Sequence, residues 1–175
     1  VLLLLTACAA AWRPDAPGRF DLAVPTGWEI TRNKRFFGND FLTLASRDLR
    51  STITVELVRS DPAARRLPLD LLAEVRALSM GRTLGVESTR VGLHQIDVDD
   101  HEAWAVTGSR RTTWSSADYS TIIAWVGPHL AQITLTTPAG ELDRALPAWA
   151  GFLASVRFPL DPLPADRPLF DPELD

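Results

Sequence analysis

Ser51-Thr52-Ile53-Thr54-Val55-Glu56-Leu57-Val58 carries the reading of the fold. Ile53, Val55 and Leu57 fall on one side of an extended chain, with Thr52, Thr54 and Glu56 on the other. Two-residue alternation of this kind belongs to an antiparallel strand with one face on a core and one wetter face. Strands of parallel sheets, buried on both faces, read instead as unbroken apolar runs.

Upstream, Phe41 to Ala45 is a second β-rich run, joined to the first by the polar Ser46-Arg47-Asp48-Leu49-Arg50. Trp28-Glu29-Ile30 is an extended piece, Pro25-Thr26-Gly27 a break, and Phe20 to Val24 an alternating first strand. Downstream, Asp61-Pro62 ends the segment and Pro68 opens a helix, where its missing N–H costs nothing. Leu71, Leu72, Val75 and Leu78 recur there at helical spacing, and Gly81 or Gly85 is expected to end the helix.

A meander follows. Val86 to Val98 runs toward a turn around Asp99-Asp100-His101, and Glu102 to Thr112 returns. Trp114 to Asp118 forms the next tip, and Gly127-Pro128 separates strands at Tyr119 to Val126 and Leu130 to Thr136. Pro138-Ala139-Gly140 opens a second helical region, with Leu142, Leu146, Trp149, Phe152, Leu153 and Val156 as its apolar stripe. Pro147 lies inside that region, which predicts a kink or two short helices. The expected architecture is an antiparallel sheet with covering helices, class α+β.

The 175 residues suffice for one domain with a proper core, and 46% apolar with 23% charged residues is ordinary for a globular chain. The net charge of −4 sits entirely in Phe158 to Asp175, so the body from Ala9 to Arg157 is neutral. A neutral body lacks the basic stripe of a nucleic-acid binder, and nucleic acid is excluded as an expected partner. A single cysteine allows no intrachain disulfide.

That cysteine ends the apolar run Val1-Leu2-Leu3-Leu4-Leu5-Thr6-Ala7-Cys8. Five apolar residues are far too few to span a hydrocarbon core, which needs ~20, but they suit the end of a signal-peptide apolar region before a small-residue cleavage site. Leu5-Thr6-Ala7-Cys8 resembles the lipobox of bacterial lipoproteins, in which cleavage precedes a cysteine that becomes lipid-modified. With no initiator Met, the charged start of such a signal peptide is expected to lie upstream. The resemblance implies lipidation at Cys8, a membrane partner through the lipid anchor and, with Ala9 rather than Asp after the cysteine, the outer membrane facing the periplasm. The expected division is therefore a signal-peptide end over 1–7, a lipidated tether over 8–19, one domain over 20–158 and a Pro-rich acidic tail over 159–175. The part from Ala9 to Arg19 would reach at most ~35–40 Å when extended.

The order of elements, the turn Val24-Pro25-Thr26-Gly27-Trp28, the turn Asp100 to Trp104 and the closing Phe152-Leu153-Ala154-Ser155-Val156-Arg157-Phe158 resemble the Mog1/PsbP-like fold, in particular the small bacterial lipoproteins of the DcrB kind. The resemblance covers Phe20 to Phe158 and implies a binding or assembly role. It supplies no catalytic residue.

Two stretches invite a chemical reading. His94-Gln95-Ile96-Asp97-Val98-Asp99-Asp100-His101-Glu102 gathers two histidines and four acids. A turn centred on Asp99 to His101 would leave the histidines ~20 Å apart at ~3.3 Å per residue, so a solvated hairpin tip is expected and no metal site. The second is a pair of basic-aromatic loops, Arg32-Lys34-Arg35-Phe36-Phe37 and Arg110-Arg111 with Trp114 and Tyr119. Phe36, Phe37, Arg110, Arg111 and Trp114 are the candidate partner- or membrane-binding residues, since Arg and Trp serve both hot spots and anionic surfaces. The competing expectation, which the rarity of exposed aromatics favours, folds the rings onto the core and leaves the arginines solvated.

Ser115-Ser116 has no nucleophile elbow around it, and no spacing singles out an acid–base pair. No catalytic residue and no cofactor is assigned, and the chain is read as no enzyme. Trp28, Trp104, Trp125 and Trp149 fall in core patterns, where they could also line a pocket between sheet and helix. The leading expectation is a non-enzymatic binding or assembly factor of the bacterial envelope, with an envelope protein as partner. A small-molecule or metal-binding envelope module, or an enzyme with an unrecognised site, is the alternative.

Overall fold

The computed structural model describes residues 11–12, 22–36, 39–48, 50–61, 63–80 and 86–158. In chain order the elements are β1 (Ala11–Trp12), β2 (Leu22–Ala23), β3 (Trp28–Phe36), β4 (Asn39–Ser46), β5 (Thr52–Arg59), α1 (Leu69–Met80), β6 (Val86–Val98), β7 (His101–Thr112), β8 (Ser116–Val126), β9 (His129–Pro138) and α2 (Leu142–Ser155). A single 3-10 turn, Ala64–Arg66, precedes α1. Strands β3 to β9 form one seven-stranded sheet in the order β3-β4-β5-β9-β8-β7-β6, and every neighbouring pair is antiparallel. The α+β expectation is met.

Alternation decides which face is buried. Ile53, Val55 and Leu57 of β5 are fully buried and share one face with Leu42 and Leu44 of β4 and Ile133 and Leu135 of β9. Helix α2 closes that face with Trp149, Phe152 and, just past its end, Val156. The helix does not break at Pro147: it runs unbroken from Leu142 to Ser155. Pro147 is the sixth residue and is exposed, as is Asp143, whose carbonyl the proline cannot serve. Water can satisfy that carbonyl, so the missing hydrogen bond falls on the wet side of the helix. Leu146, placed on the apolar stripe by its spacing, is 41% exposed instead.

The opposite face is covered only in part. Helix α1 contacts β6, β7 and β8, where Leu69 and Ala73 are buried with Val106, Tyr119 and Ile123, and Leu72 packs beside them. The expected stripe of Leu71, Leu72 and Val75 is therefore rotated, since Leu71 is 45% and Val75 52% exposed. Ala73, with no side chain beyond Cβ, lets the helix lie close against the sheet on the face it does bury. Arg76 Nη2 reaches Glu56 Oε2 on β5 at 3.8 Å, tying α1 to the middle of the sheet.

Two readings of the sequence change near the N-terminal half. Arg32 to Phe36 is no loop: β3 continues through it after a bulge between Ile30 and Arg32, pairing with β4 as far as Phe36↔Asn39. Strand β3 is an edge strand, and a run of Arg and Lys there discourages pairing with another chain. Ala11–Trp12, within the stretch read as a tether, pair antiparallel with Leu22–Ala23. Residues 1–10 with Cys8, all of 13–21, Gly81, Gly85 and the tail 159–175 lie outside the described residues. Among the described residues no helix is long and apolar enough to cross a membrane.

Candidate functional site

The β7–β8 hairpin is built to present a side chain. Thr112 and Ser115 close its tip: Ser115 O accepts from Thr112 N–H at 2.7 Å, and Thr112 Oγ1 accepts the backbone N–H groups of Ser115 at 2.9 Å and Trp114 at 3.3 Å. Thr112 and Ser115 hydroxyls also bond each other at 2.9 Å. Trp114 stands on this turn 94% exposed, so it does not fold onto the core. Arg110 and Arg111 are exposed one step below, opposite Ala117 and Ser116. Neither makes an ion pair with a described residue. The base of the tip is held to the start of α2 by Asp118, whose Oδ2 accepts the Gly140 N–H at 2.6 Å, and by Ala139 N–H donating to Ser116 O at 3.3 Å. Ser115 and Ser116 thus serve the turn.

The structure does not bring the two basic-aromatic stretches together. Trp28 pairs with Ser46 at the end of the sheet that carries the β4–β5 connection, while Phe36 pairs with Asn39 at the other end. Thr52↔Thr136 and Ala117↔Pro138 place the β7–β8 tip at the Trp28 end. Phe36 is therefore at the opposite end of the sheet from Trp114, on its far edge. The Phe36 side chain and all of Phe37 lie outside what is described.

The His94 to Glu102 stretch is a hairpin with the two-residue turn Asp99-Asp100, both at positive φ (49° and 60°). Val98 pairs with His101 and His94 with Ala105, so the histidines are four ladder steps apart, ~13 Å at ~3.3 Å per residue. That is shorter than the ~20 Å expected from sequence separation, because the return strand lies alongside. Among the described residues no three His, Cys, Asp or Glu side chains gather as a metal site. His101 Nδ1 lies 2.7 Å from the Asp99 carbonyl oxygen, and its ring meets Phe158 edge-on with centroids 4.9 Å apart.

The four tryptophans of core pattern, Trp28, Trp104, Trp125 and Trp149, divide into two pairs. Trp149 is buried and stacks with Phe152 at 6.0 Å between centroids, with Trp28 packed on the same core. Trp104 and Trp125 pack on the other face and line a cavity of about 520 Å³ together with Arg65, Asp70 and Glu102. The Ala103↔Ala124 pairing puts Glu102 across from Trp125, and alternation puts Trp104 on the same face. Trp104 Nε1 donates to Glu102 Oε1 at 3.3 Å. Trp125 Nε1 is buried with no hydrogen-bond partner. Sequence reading allowed a pocket at these tryptophans. It missed the polar residues, because Arg65 and Asp70 come from the 3-10 turn and the helix start, which no local pattern links to β7.

No protein-family model matches the chain, and no curated protein matches it. Solved structures do. Cyanobacterial PsbP (CyanoP) from Synechocystis sp. PCC 6803 superposes with a TM-score of 0.66 at 10% identity, over 87% of this chain and 95% of that one. LpqN, involved in cell envelope biogenesis of Mycobacterium tuberculosis, gives 0.52 at 11% identity over 85% and 89%. The Ran-binding protein Mog1p of Saccharomyces cerevisiae gives 0.51 at 10% identity over 81% and 90%. Identities this low carry the fold alone, and with the sheet order and the two helices they give the chain the Mog1/PsbP-like α+β fold.

Proposed function

We propose that this chain is a lipid-anchored, non-enzymatic binding or assembly factor of the bacterial cell envelope, which engages an envelope protein through the β7–β8 tip. The observation that carries the reading is Trp114, a 94% exposed indole on a hydrogen-bonded turn with Arg110 and Arg111 below it. Solvating a large aromatic ring is unfavourable, so a fold that holds one outward has a use for it on contact. Lipidation of Cys8 behind Leu5-Thr6-Ala7 supplies the anchor, with Ala9 directing it to the outer membrane, and several acyl chains hold where one binds only marginally. A short stretch before Ala11–Trp12 then keeps the domain at the membrane surface. Support also comes from two proteins of the same fold: Mog1p is Ran-binding, and LpqN is involved in cell envelope biogenesis. Phe36, whose backbone pairs with Asn39 at the other end of the sheet, is left out of this surface.

The test has two arms. Intact mass of the membrane fraction, beside Cys8→Ala, should show diacylglycerol mass on the wild type only; an unmodified soluble wild type removes the anchor. A photo-crosslinking amino acid at Thr113, exposed beside Trp114, should give a discrete protein adduct that is lost in Arg110→Ser/Arg111→Ser. No adduct, with Trp114-dependent sedimentation on anionic vesicles, would make the tip a membrane contact and overturn the protein-partner reading.

A further inference from the structure

The cavity at Trp104 and Trp125 is separate from the tip: Trp104 and Thr112 stand eight residues apart on β7, ~26 Å at ~3.3 Å per residue. Its volume of about 520 Å³ falls in the ~300–1,000 Å³ range of small-molecule sites. We propose that it binds the ring of a neutral saccharide, laid on the two indoles and hydrogen-bonded by Glu102, Asp70 and Arg65.

The donor and acceptor inventory selects this class. Trp104 and Trp125 supply the apolar part of the lining, and the Trp125 Nε1–H is sealed from solvent, out of a guest's reach. Glu102 gives one oxygen to Trp104 Nε1, and Asp70 gives one to the Leu71 N–H at 2.8 Å. The second oxygen of each carboxylate is left to accept from a guest. Arg65 offers up to five N–H donors and pairs with no described carboxylate. The charged groups of the lining thus ask for a guest that accepts from Arg65 and donates to Glu102 and Asp70 at once. A hydroxyl does both.

Other classes leave part of this set unmatched. An anion would face two carboxylates, and an organic cation would face the Arg65 guanidinium. An apolar guest would strip water from three charged groups and return nothing. A saccharide presents hydroxyls around its edge and C–H groups on its faces. The C–H groups carry slight positive charge and rest on the negative face of an indole.

Titration of the full 175-residue chain with methyl glucoside, methyl galactoside and maltose, read by the NMR signals of the tryptophan indole N–H groups, tests this. The Trp104 and Trp125 signals, assigned with Trp104→Phe and Trp125→Phe, should shift saturably with at least one sugar. Trp125→Phe and Glu102→Gln should weaken that binding at least tenfold, while Trp114→Ser leaves it unchanged, so failure here and failure at the tip are read separately. Thermal melts check folding, and should Trp125→Phe not fold, Glu102→Gln carries the test. No saturable shift with any of the three sugars, or the same shift with tetramethylammonium chloride, overturns the proposal. Octyl glucoside below its micelle concentration identifies the source. Binding more than tenfold tighter than methyl glucoside supports the site as a reader of lipid-borne sugar, and equal binding supports free or polymer-borne sugar.

Discussion

Phe158 donates its backbone N–H to Asp99 Oδ2 at 2.6 Å, across 59 positions of sequence. Asp99 opens the turn between β6 and β7 at a φ of 49°, in the left-handed region. Its other carboxylate oxygen faces Arg157 Nε at 3.7 Å. One side chain therefore fixes the hairpin and the chain leaving α2 to each other. Asp99→Ala removes the acceptor and a residue that tolerates left-handed φ, and should cost about 2–3 kcal/mol. Asp99→Asn keeps an acceptor and the φ tolerance and should cost about 1 kcal/mol. Urea unfolding of the two variants measures this; equal losses would show that the ion pair, not the hydrogen bond, holds the junction.

Two residues of α2 differ in what they bury. Phe152 is 1% exposed and stacks with Trp149, whereas Leu146 is 41% exposed. Phe152→Ala should lose about 3–5 kcal/mol through transfer and cavity terms together. Leu146→Ala should stay within about 0.5 kcal/mol. A comparable loss at both would place Leu146 in the core, as its spacing alone suggested.

The strand side of the fold was legible because alternation leaves little choice: Ile53, Val55 and Leu57 could only share a face, and they do. The helix faces were less so. Leu71 and Val75 fit a helical period as well as Leu69, Leu72 and Ala73 do, and only the sheet under α1 chooses between them. The exposure of Trp114 was equally hidden, since it depends on Thr112 and Ser115 closing the turn that carries the ring. The cavity gathers residues from four elements, and no sequence window contains them.

The turn before β3 was the clearest local signal. Trp28 N–H donates to Pro25 O at 3.0 Å, and Gly27 takes a φ of 82°, as the third residue of a type II turn must. A Cβ at Gly27 would meet nothing within 4 Å, so Gly27→Ala pays for conformation alone. The expected loss is about 1–2 kcal/mol, read from the thermal midpoint, with Gly27→Asn losing less. An unchanged midpoint in Gly27→Ala would mean that the turn switches type at no cost.

Asp48 carries a pH dependence. The Ser46 hydroxyl and then the Arg50 backbone N–H donate to its carboxylate and hold its pKa below the usual aspartate value. A depressed folded-state pKa stabilises the fold above the unfolded value, and that stability is lost as pH falls through the folded value. Wild type should therefore exceed Asp48→Asn slightly at neutral pH, with the gap closing below the ordinary aspartate range. Urea midpoints across that range measure it, and a gap that widens on acidification would reverse the sign and remove Ser46 as the cause.

Trp114 and Thr112 separate stability from contact at the tip. The Trp114 ring touches water over nearly all its surface, so Trp114→Ser should leave stability within about 0.5 kcal/mol and abolish partner capture. Thr112→Val keeps the indole but removes the hydroxyl that accepts the Trp114 and Ser115 N–H groups. It should cost about 1 kcal/mol and weaken capture without removing any contacting ring. Urea unfolding beside crosslinking yield reads both quantities. If Thr112→Val captured as well as wild type, a preorganised tip would be unnecessary, and the indole would act as a flexible anchor.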